Sequence, residues 1–342
     1  MHKKQFAAGV GRRLGRAVAA LGGLALAGHA AWAQAPATTP TGAAGAWPSK
    51  PIRVVVGFAP GGSTDVMARI LAQSLSESLG QTVLIDNKPG ASGNISAAEV
   101  VRAAPDGHTF LIAPTSVETA NPSLFKASLL PSRDLTPVTT VGRTQMYLVA
   151  KPQLPAKDVR ELVTLARAKP GTLSYASAGA GTPPHLACEL FKQATGTQVT
   201  HVPYRGAAPA LQDVLSGQAD FVCDPGIAFQ HIRAGKAKLL GIVSAKRSPF
   251  FPEVPTVGEQ GFPGANLDIW FGMWAPNGTP PEVLARMSAE LGKALALPAV
   301  KSRYGDLGAE PVAMSTPEFR KLLADEGAML SALIARQKIV VD

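Results

Sequence analysis

The residues best placed to do chemistry form the short segment Gly61–Asp65, in which two glycines precede two hydroxyl-bearing residues and an acid. At the start of a helix the first N–H groups have no partner within the helix, and the helix dipole adds partial positive charge. The N–H groups of Gly61, Gly62 and Ser63 would then form a site for an anion. The segment therefore predicts a binding site for a small anion.

A buried strand and a helix are predicted on the two sides of this segment. The apolar run Val54–Val56 is typical of a strand covered on both faces in a parallel sheet. Ser63 or Thr64 can cap the following helix, and Gly80 can end it in a left-handed conformation. Asp65 falls near the third helical position, where a carboxylate can bond back to the cap, contact a ligand, or do both.

The next part of the chain repeats this alternation of strand and helix. Strands are predicted at 82–85 and 109–113, with a helix over 95–103 between them. The order β-α-β-α-β implies a parallel sheet with right-handed crossovers, and ligands bind such sheets outside the carboxyl ends of the strands. Thr115 and Ser116 follow the third strand and fall at that edge.

A second set of strands and helices shows the same pattern. The predicted strand 173–176 leads through the glycine loop 177–182 into a helix that begins with Pro183-Pro184. Proline is favoured in a first helical turn because its missing N–H would have no partner there. Tyr204 in this set and Phe58 in the first follow strands beside glycines, so each can be a pocket wall or a core aromatic.

The remaining helices indicate two domains joined by a hinge. The C-terminal part contains three predicted helices, over 280–295, 299–307 and 316–337. No strands are left to form a third module, so we expect these helices to pack on an existing domain. The first domain would comprise residues 47–145 and 268–342, and the second residues 146–267.

The first 33 residues have the pattern of a secretory signal peptide. A basic start precedes an apolar run from Ala17 to Ala27, and Ala31-Trp32-Ala33 is an A-x-A cleavage site. The run is too short for a transmembrane helix, which needs ~20 residues. Arg12-Arg13 leaves a twin-arginine export route open beside the general one. Residues 34–46, rich in Pro, Thr, Ala and Gly, are predicted to be a flexible linker of an exported protein.

The charge of the chain gives no sign of a nucleic-acid or membrane-surface function. The 342 residues carry 33 basic and 24 acidic side chains, a formal net charge of +9. Five of the basic residues lie in the predicted signal peptide, which contains no acid, so the remainder has 28 basic against 24 acidic side chains. This weak excess contains no basic run.

The two cysteines, Cys188 and Cys223, leave two interpretations open. An exported protein can form a disulfide, and the predicted helix and strand end that carry these residues could be neighbours. They could equally be two small apolar residues of the core. Two cysteines without a histidine at ligand spacing predict no metal site.

The glycine loops do not match the motifs of enzymes or cofactor-binding proteins. Gly179-x-Gly181-x-x-Pro184 lacks the third glycine of a dinucleotide-binding fingerprint, and Ser177 does not lie in a Gly-x-Ser-x-Gly elbow. Ser63, His185 and Asp224 could be combined into a triad only on paper. Asp224 follows a strand at the expected cleft edge, where it can pack or face a ligand. The sequence therefore predicts neither an enzyme nor a cofactor.

A series of motifs runs in order along the chain. They are Trp47-Pro48-x-Lys50-Pro51-Ile52-Arg53, Phe58-Ala59-Pro60-Gly61-Gly62-Ser63-Thr64-Asp65, Asp86-Asn87-Lys88-Pro89-Gly90-Ala91, Pro105-Asp106-Gly107, Gly179-x-Gly181-Thr182-Pro183-x-His185-Leu186, His201-Val202-Pro203-Tyr204-Arg205-Gly206, Pro252-Glu253-Val254-Pro255-Thr256 and Trp270-Phe271-Gly272-x-x-Ala275-Pro276. With these motifs the chain resembles the Bordetella uptake gene (Bug) type of solute receptors of tripartite tricarboxylate transporters. The resemblance extends from Trp47 to the C-terminal helices.

This resemblance implies a type II periplasmic-binding-protein fold, in which two α/β domains close over one ligand. It also implies that loop backbone groups, hydroxyls and ordered waters hold a carboxylate, with little use of Lys or Arg. The implied contacts in the first domain, together with Ser63 of the glycine segment, are Phe58, Gly61, Gly62, Asp65, Thr115 and Ser116. Those in the second domain are Ser177, Gly179, Gly181, Thr182, Tyr204 and Asp224.

The function that the resemblance implies is a periplasmic receptor, expected to be a monomer. It would capture a small organic anion and deliver it to subunits of an inner-membrane transporter. Two alternatives stay open: a secreted hydrolase that uses the same cleft, and a sensory receptor that docks a membrane signalling partner. Dicarboxylates, aromatic carboxylates and amino acids all remain candidate ligands.

Overall fold

The computed structural model describes residues 47–126 and 131–341, which belong to one compact unit of the chain. The predicted signal peptide (1–33) and linker (34–46) lie outside the described residues. Within the unit, two β-sheets of six and five strands carry the fold. We call the six-stranded sheet with its helices lobe 1 and the five-stranded sheet with its helices lobe 2.

The elements alternate along most of the chain. The strands are β1 (Ile52–Val56), β2 (Val83–Asn87), β3 (Thr109–Pro114), β4 (Leu135–Thr144), β5 (Tyr147–Ala150), β6 (Ser174–Ser177), β7 (Thr200–Pro203), β8 (Phe221–Asp224), β9 (Lys238–Ile242), β10 (Ile269–Pro276) and β11 (Ala309–Glu310). The helices are α1 (Ser63–Leu79), α2 (Asn94–Val101), α3 (Ser116–Thr119), α4 (Asn121–Leu124), α5 (Pro131–Asp134), α6 (Val159–Ala168), α7 (Pro183–Thr195), α8 (Ala207–Ser216), α9 (Phe229–Arg233), α10 (Pro281–Ala296), α11 (Pro298–Gly305) and α12 (Thr316–Gln337). One turn of 3-10 helix, Ala91–Gly93, precedes α2.

Lobe 1 has the strand order β11-β4-β10-β3-β1-β2. β1 pairs in parallel with both β2 and β3, which confirms the parallel arrangement predicted from the β-α-β-α-β pattern. The run Val54–Val56 is at most 1% exposed, as expected for a strand covered on both faces. α10 packs on α1 and β4, and α12 packs on α3 and β4, so the C-terminal helices cover this lobe.

Lobe 2 has the strand order β7-β6-β8-β5-β9. β6 runs parallel to both β7 and β8, whereas β5 is antiparallel to β8 and β9. The three parallel strands therefore end at one edge of the sheet. The loops that follow them, beginning at residues 178, 204 and 225, start at that edge.

The chain passes between the two sheets twice. It leaves the first sheet after β4 and enters the second at β5, and it returns between β9 and β10. Both passages lie where the sequence predicts the domain boundaries, near residues 145 and 268. That the two lobes move as separate bodies about these passages stays a prediction.

Several local expectations are corrected. Gly62, rather than Ser63 or Thr64, is the N-cap residue of α1, and no side chain caps that helix. The short elements α3, α4, α5 and β11 were not predicted, because elements of two to four residues carry too little periodicity to be detected.

Cys188 of α7 and Cys223 of β8 form a disulfide, with 5.8 Å between their Cα atoms. Of the two interpretations that the sequence leaves open, the structure therefore shows the bridged one. Both residues are fully buried, so the bond joins α7 to the sheet beneath it.

Residues 47–126 and 131–341 lack two kinds of feature. In this part of the chain no helix combines the length and apolar character needed to cross a membrane. The same residues contain no group of three or more His, Cys, Asp or Glu side chains that could hold a metal ion.

Candidate ligand-binding cleft

The first glycine loop, residues 57–62, connects β1 to α1 and is held by Asp65. This carboxylate is 2% exposed and accepts hydrogen bonds from the Gly61 N–H at 2.9 Å and from the Asn87 amide at 2.9 Å. It also pairs with Arg69, one turn further along α1, at 2.9 Å. Burial alone would raise the pKa of Asp65, but the hydrogen bonds outweigh burial and hold that pKa below its usual value. Asp65 is therefore ionised at neutral pH and fixes the loop.

The free N–H donors of this loop differ from those that the sequence predicts. The Gly61 N–H is occupied by the Asp65 carboxylate, and the Gly62 N–H donates to the Ala59 carbonyl at 3.5 Å. The N–H groups that have no acceptor within their helix are instead those of Ser63 and Thr64, in the first turn of α1. Gly61 itself has φ 84°, a left-handed conformation that favours glycine.

The second glycine loop, residues 178–182, connects β6 to α7 and is held by two histidines. The Gly181 N–H donates to Nδ1 of His185 at 3.1 Å, and the hydroxyl of Ser177 lies 2.6 Å from Nε2 of His201. The two imidazole rings stack, with centroids 4.2 Å apart. A nitrogen that accepts the Gly181 N–H carries no proton, so this arrangement requires a neutral His185.

Both imidazoles are kept neutral by their surroundings. Burial, reinforced by the neighbouring His185, lowers the pKa of His201 to about 4. Burial also lowers the pKa of His185, and the carboxylate of Glu189 at 3.9 Å opposes this only in part. Lys192 shares that carboxylate, which further disfavours a positive charge on the histidines.

The two glycine loops face each other across a cavity of about 30 Å³, which we call the cleft cavity. Its residues are Phe58, Gly62, Ser63, Thr64, Pro114, Ala178, Pro183, Pro184, Ala207, Pro225, Ile269 and Phe271. None of these side chains carries a charge. The polar groups come from the start of α1, whereas lobe 2 contributes prolines and alanines.

The lobes touch along the rim of this cavity. The Ser63 hydroxyl donates to the Pro225 carbonyl at 3.1 Å, and the Ser92 hydroxyl donates to the carbonyl of Ala180. At Gly206 the backbones come so close that a Cβ atom would lie 2.9 Å from the Cβ of Ala59. The two lobes are therefore in direct contact along this rim.

A second cavity of about 270 Å³ adjoins the first, and we call it the side cavity. It shares Phe58 and Ala178 with the cleft cavity. Its other residues are Gly57, Pro89, Gly90, Ala91, Ser92, Phe125, Gly179, Ala180, Tyr204 and Arg205. Both lobes contribute to its walls.

Asp224 ends β8 and is fully buried. Its Oδ2 accepts the N–H groups of Gly226 at 2.7 Å and Ala228 at 3.0 Å, while its Oδ1 has no hydrogen-bond partner. Burial raises the pKa of Asp224 to about 7, although those two N–H groups lower it. The residue fixes the turn that presents Pro225 to the cleft cavity.

The structure places the predicted site residues in four groups. The cleft cavity is lined by Phe58, Gly62 and Ser63, and the side cavity by Phe58, Gly179 and Tyr204. Residues that support the two glycine loops without lining the cavities are Gly61, Asp65, Ser177, Gly181 and Thr182, whereas Asp224 supports the turn after β8. Thr115 and Ser116 are buried at the end of β3 and line neither cavity.

Sequence reasoning missed the apolar part of the site. Pro114, Pro183, Pro184, Ala207, Pro225, Ile269 and Phe271 line the cleft cavity and were not proposed as contacts. Only Pro183 and Pro184 could have been proposed from the sequence, because they begin a helix directly after a predicted glycine loop. Ile269 and Phe271 belong to β10, which is distant from β3 in the sequence. β10 lies beside β3 only because the two strands pair in the folded sheet.

The triad that could be written from the sequence is not assembled. The Ser63 hydroxyl is bonded to Pro225, His185 Nδ1 to Gly181, and Asp224 Oδ2 to Gly226 and Ala228. None of the three side chains is hydrogen-bonded to another.

Known proteins place this architecture in a family. The family described as "Tripartite tricarboxylate transporter family receptor" matches residues 67–339. Protein BugT of Bordetella pertussis is 38% identical over 288 residues, which are 82% of this chain and 87% of BugT. The chain belongs to this receptor family. The predicted resemblance to the Bug proteins is thereby confirmed.

Solved structures of similar proteins agree with the fold. The periplasmic binding protein BugD is 35% identical, with a TM-score of 0.82 over 86% of this chain and 99% of that one. A Rhodopseudomonas palustris protein solved with adipate is 33% identical, with a TM-score of 0.83 over 86% and 100% of the two chains. MatC of the same organism, solved with malate, is 34% identical, with a TM-score of 0.79 over 84% and 99%. The receptor thus has the predicted α/β fold of a periplasmic binding protein.

Proposed function

We propose that this receptor binds a small organic carboxylate in the interdomain cleft and delivers it to a tripartite tricarboxylate-type membrane transporter. The observation that carries the proposal is the start of α1, where the free N–H groups of Ser63 and Thr64 line a cavity without ionised side chains. Backbone N–H groups and the helix dipole stabilise a carboxylate. Ordered waters can complete its shell and let one scaffold accept related acids.

The adipate and malate bound to two similar proteins support an acid as the ligand. The uncharged lining of the cleft cavity supports a receptor rather than a hydrolase, because hydrolysis needs a positioned nucleophile and base. Binding in the periplasm is proposed from the family and from the predicted signal peptide at residues 1–33.

Closure of the lobes over the ligand is part of the proposal. A cavity of about 30 Å³ holds on the order of two waters, so the lobes must separate further to admit an organic acid. Passages near Arg143 and Leu267 would absorb this hinge motion. A ligand that touches both lobes shifts the population toward the closed state by its differential affinity for that state.

A thermal-shift screen of the mature protein against mono-, di-, tri- and aromatic carboxylates and acidic amino acids tests the binding step. An acid at ~100 times its dissociation constant should stabilise the protein by roughly 2.7 kcal/mol, visible as several degrees. Gly62→Leu should abolish the shift. A Cβ atom at Gly62 meets only ordinary contacts, 3.6 Å or more away, but the longer side chain would fill the cleft cavity.

The matched control is Gly292→Leu in α10, where a Cβ atom would meet nothing within 4 Å. This variant should keep the full ligand response. If no acid stabilises the folded wild-type protein, and none is released on denaturation, the carboxylate receptor is excluded.

The delivery step needs a separate test. A strain without this receptor should lose growth on the identified acid at low concentration and regain it with the wild-type gene, but not with Gly62→Leu. Turnover of the bound acid by the purified protein would instead support the hydrolase alternative. Normal growth with loss of a transcriptional response would support the sensory alternative.

A further inference from the structure

We propose that residues 90–93, which we call the strap, form a strained bridge that opposes closure of the lobes and so limits how tightly the receptor holds its ligand. The strap would keep its left-handed conformation while the lobes are in contact and relax when they separate. This inference rests on the lobe motion of the proposed function, but not on the identity of the ligand. Part of the binding free energy would then strain the strap, which favours release.

The backbone of the strap is left-handed throughout. The angle φ is 134° at Gly90, 45° at Ala91, 51° at Ser92 and 92° at Gly93. Glycine adopts positive φ freely, but in Ala91 and Ser92 it brings Cβ close to the following carbonyl oxygen. Each such residue costs enough to shift an equilibrium by about tenfold. Among the described residues, Lys338 is the one other non-glycine residue with positive φ.

Lobe 2 makes a direct contact with the strap. The Ser92 hydroxyl donates a hydrogen bond to the carbonyl of Ala180, which lies in the second glycine loop. Ser92 is 8% exposed, so this bond is largely shielded from water. The neighbouring Ala91 is exposed, and its methyl group cannot form a hydrogen bond that would hold the residue in place. The bond between the lobes is therefore one of the contacts that keep the strap in its strained conformation.

Lobe 1 holds the strap from the other side. The amide of Asn121, a fully buried residue of α4, donates to the Ser92 carbonyl at 3.1 Å and to the Asn94 side chain at 2.9 Å. The end of the strap packs on the first glycine loop, where a Cβ atom at Gly57 would lie 2.7 Å from the Cα of Gly93. The strap is therefore fixed in lobe 1 and reaches across to lobe 2, so that it connects the two glycine loops.

Two opposing effects on the lobes follow from this arrangement. Strained residues persist only where the surrounding contacts over-determine them, and they cluster in segments that switch. When the lobes separate, the strap loses the bond from Ser92 to Ala180, and φ of Ala91 can return to a negative value. The strain in the backbone therefore favours separated lobes, whereas the hydrogen bond of Ser92 favours lobes in contact.

Pulsed electron paramagnetic resonance on the mature protein, without added ligand, tests the strap. Spin labels are attached at Glu77 in α1 and Gln193 in α7, two exposed residues of different lobes. Bio-orthogonal amino acids carry the labels, so that the disulfide stays intact. We expect two populations of distances in the wild type, one with the lobes in contact and one with the lobes separated.

Substitutions at two adjacent residues should shift the ratio of these populations in opposite directions. Asparagine tolerates positive φ better than alanine, so Ala91→Asn should raise the ratio of contact to separated lobes by about threefold to tenfold. Ser92→Ala removes the hydrogen bond to Ala180 and should lower the ratio by about threefold or more. Thermal melting shows that each variant is folded, and Ala91→Asn alone decides if Ser92→Ala does not fold.

Each substitution has a matched control within lobe 1. Lys338→Asn makes the same kind of change at the left-handed residue that ends α12. Ser78→Ala removes a hydroxyl that donates to the Leu75 carbonyl within α1, at 3.4 Å. Both controls should leave the ratio of the two populations unchanged.

Three results would overturn the strap: an unchanged ratio in Ala91→Asn, a shift of both strap variants in the same direction, or one single distance in every protein. None of them would by itself overturn the receptor function, which is judged by the thermal shift with acids. Conversely, failure of every acid to stabilise the protein would leave the distance measurements to decide on the strap.

Discussion

The two glycine loops share a strand–loop–helix pattern, but one is held by an ionised group and the other by neutral groups. In lobe 1 the loop is anchored by the ionised carboxylate of Asp65, whose pKa lies below its usual value. In lobe 2 the loop is anchored by the neutral imidazoles of His185 and His201, which also have lowered pKa values. The loop backbone is therefore held by an ionised carboxylate in lobe 1 and by uncharged imidazoles in lobe 2.

The helices behind the loops differ in the same way. α1 begins with Ser63 and Thr64, whose N–H groups are free to donate, whereas α7 begins with Pro183 and Pro184, which have none. Lobe 1 thus supplies the donors for an anion, and lobe 2 supplies an apolar wall. This asymmetry suggests an order of events in which the acid binds lobe 1 first and lobe 2 then closes over it.

The largest effect is expected from removing the charged anchor. Asp65→Ala leaves the Gly61 N–H without its acceptor, while the Asn87 amide keeps only its bond to the Phe58 carbonyl and Arg69 only its bond to Asn87. We expect a loss of about 2–4 kcal/mol in the free energy of unfolding, measured in urea, since lost charged hydrogen bonds cost this much. Ligand affinity should fall by about tenfold or more.

Asp325→Ala serves as the control, because it removes an equivalent i,i+4 carboxylate from an exposed pair with Lys321. It should change stability by less than about 0.5 kcal/mol. Similar effects of the two substitutions would show that Asp65 does not anchor the loop.

A smaller effect is expected from the neutral anchor, and it depends on pH. The pKa of His201 is about 4 in the fold, below its unfolded value of about 6.5. As pH falls from about 6.5 to 4 the unfolded chain takes up a proton that the folded protein resists, so stability is lost over that range and is constant above it. We expect about 2 kcal/mol of this loss after allowance for solvent screening.

His201→Gln keeps a side-chain group that can meet the Ser177 hydroxyl and removes the titration. Urea unfolding of this variant should therefore show a shallower decline between pH 6.5 and 4 than the wild type. His231→Gln, in α9, replaces a histidine outside the loop and should leave the wild-type profile unchanged. An identical profile in all three proteins would rule out the neutral anchor.

The smallest effect is expected at the start of α7. Pro184→Ala adds one N–H donor to the wall of the cleft cavity. It should alter carboxylate affinity by no more than about fivefold, in the direction of tighter binding, and lower stability by about 0.4–1 kcal/mol through the unfolded state. Calorimetry with the best acid measures the first effect and urea unfolding the second. Weaker binding would contradict the assignment of donors to lobe 1 and of an apolar wall to lobe 2.

Much of the architecture is encoded locally and was predictable. The apolar run Val54–Val56, the glycines that follow it and the spacing of α1 indicate a parallel strand, a loop and a helix. Asp65 at the third helical position was predicted to bond backwards, although its actual partner is Gly61 rather than the cap. Such features depend on neighbours within a few residues, so that sequence spacing is a good guide to them.

What the sequence alone determined is therefore the order of the elements, the family and the two glycine loops. The tertiary structure decided which N–H groups stay free, that His185 and His201 stack behind the second loop, and that Cys188 meets Cys223. It also decided that Phe58 lines two cavities. The histidine stack and the disulfide join residues distant in the chain, so that no local pattern encodes them, and the cavities form only where the two lobes meet.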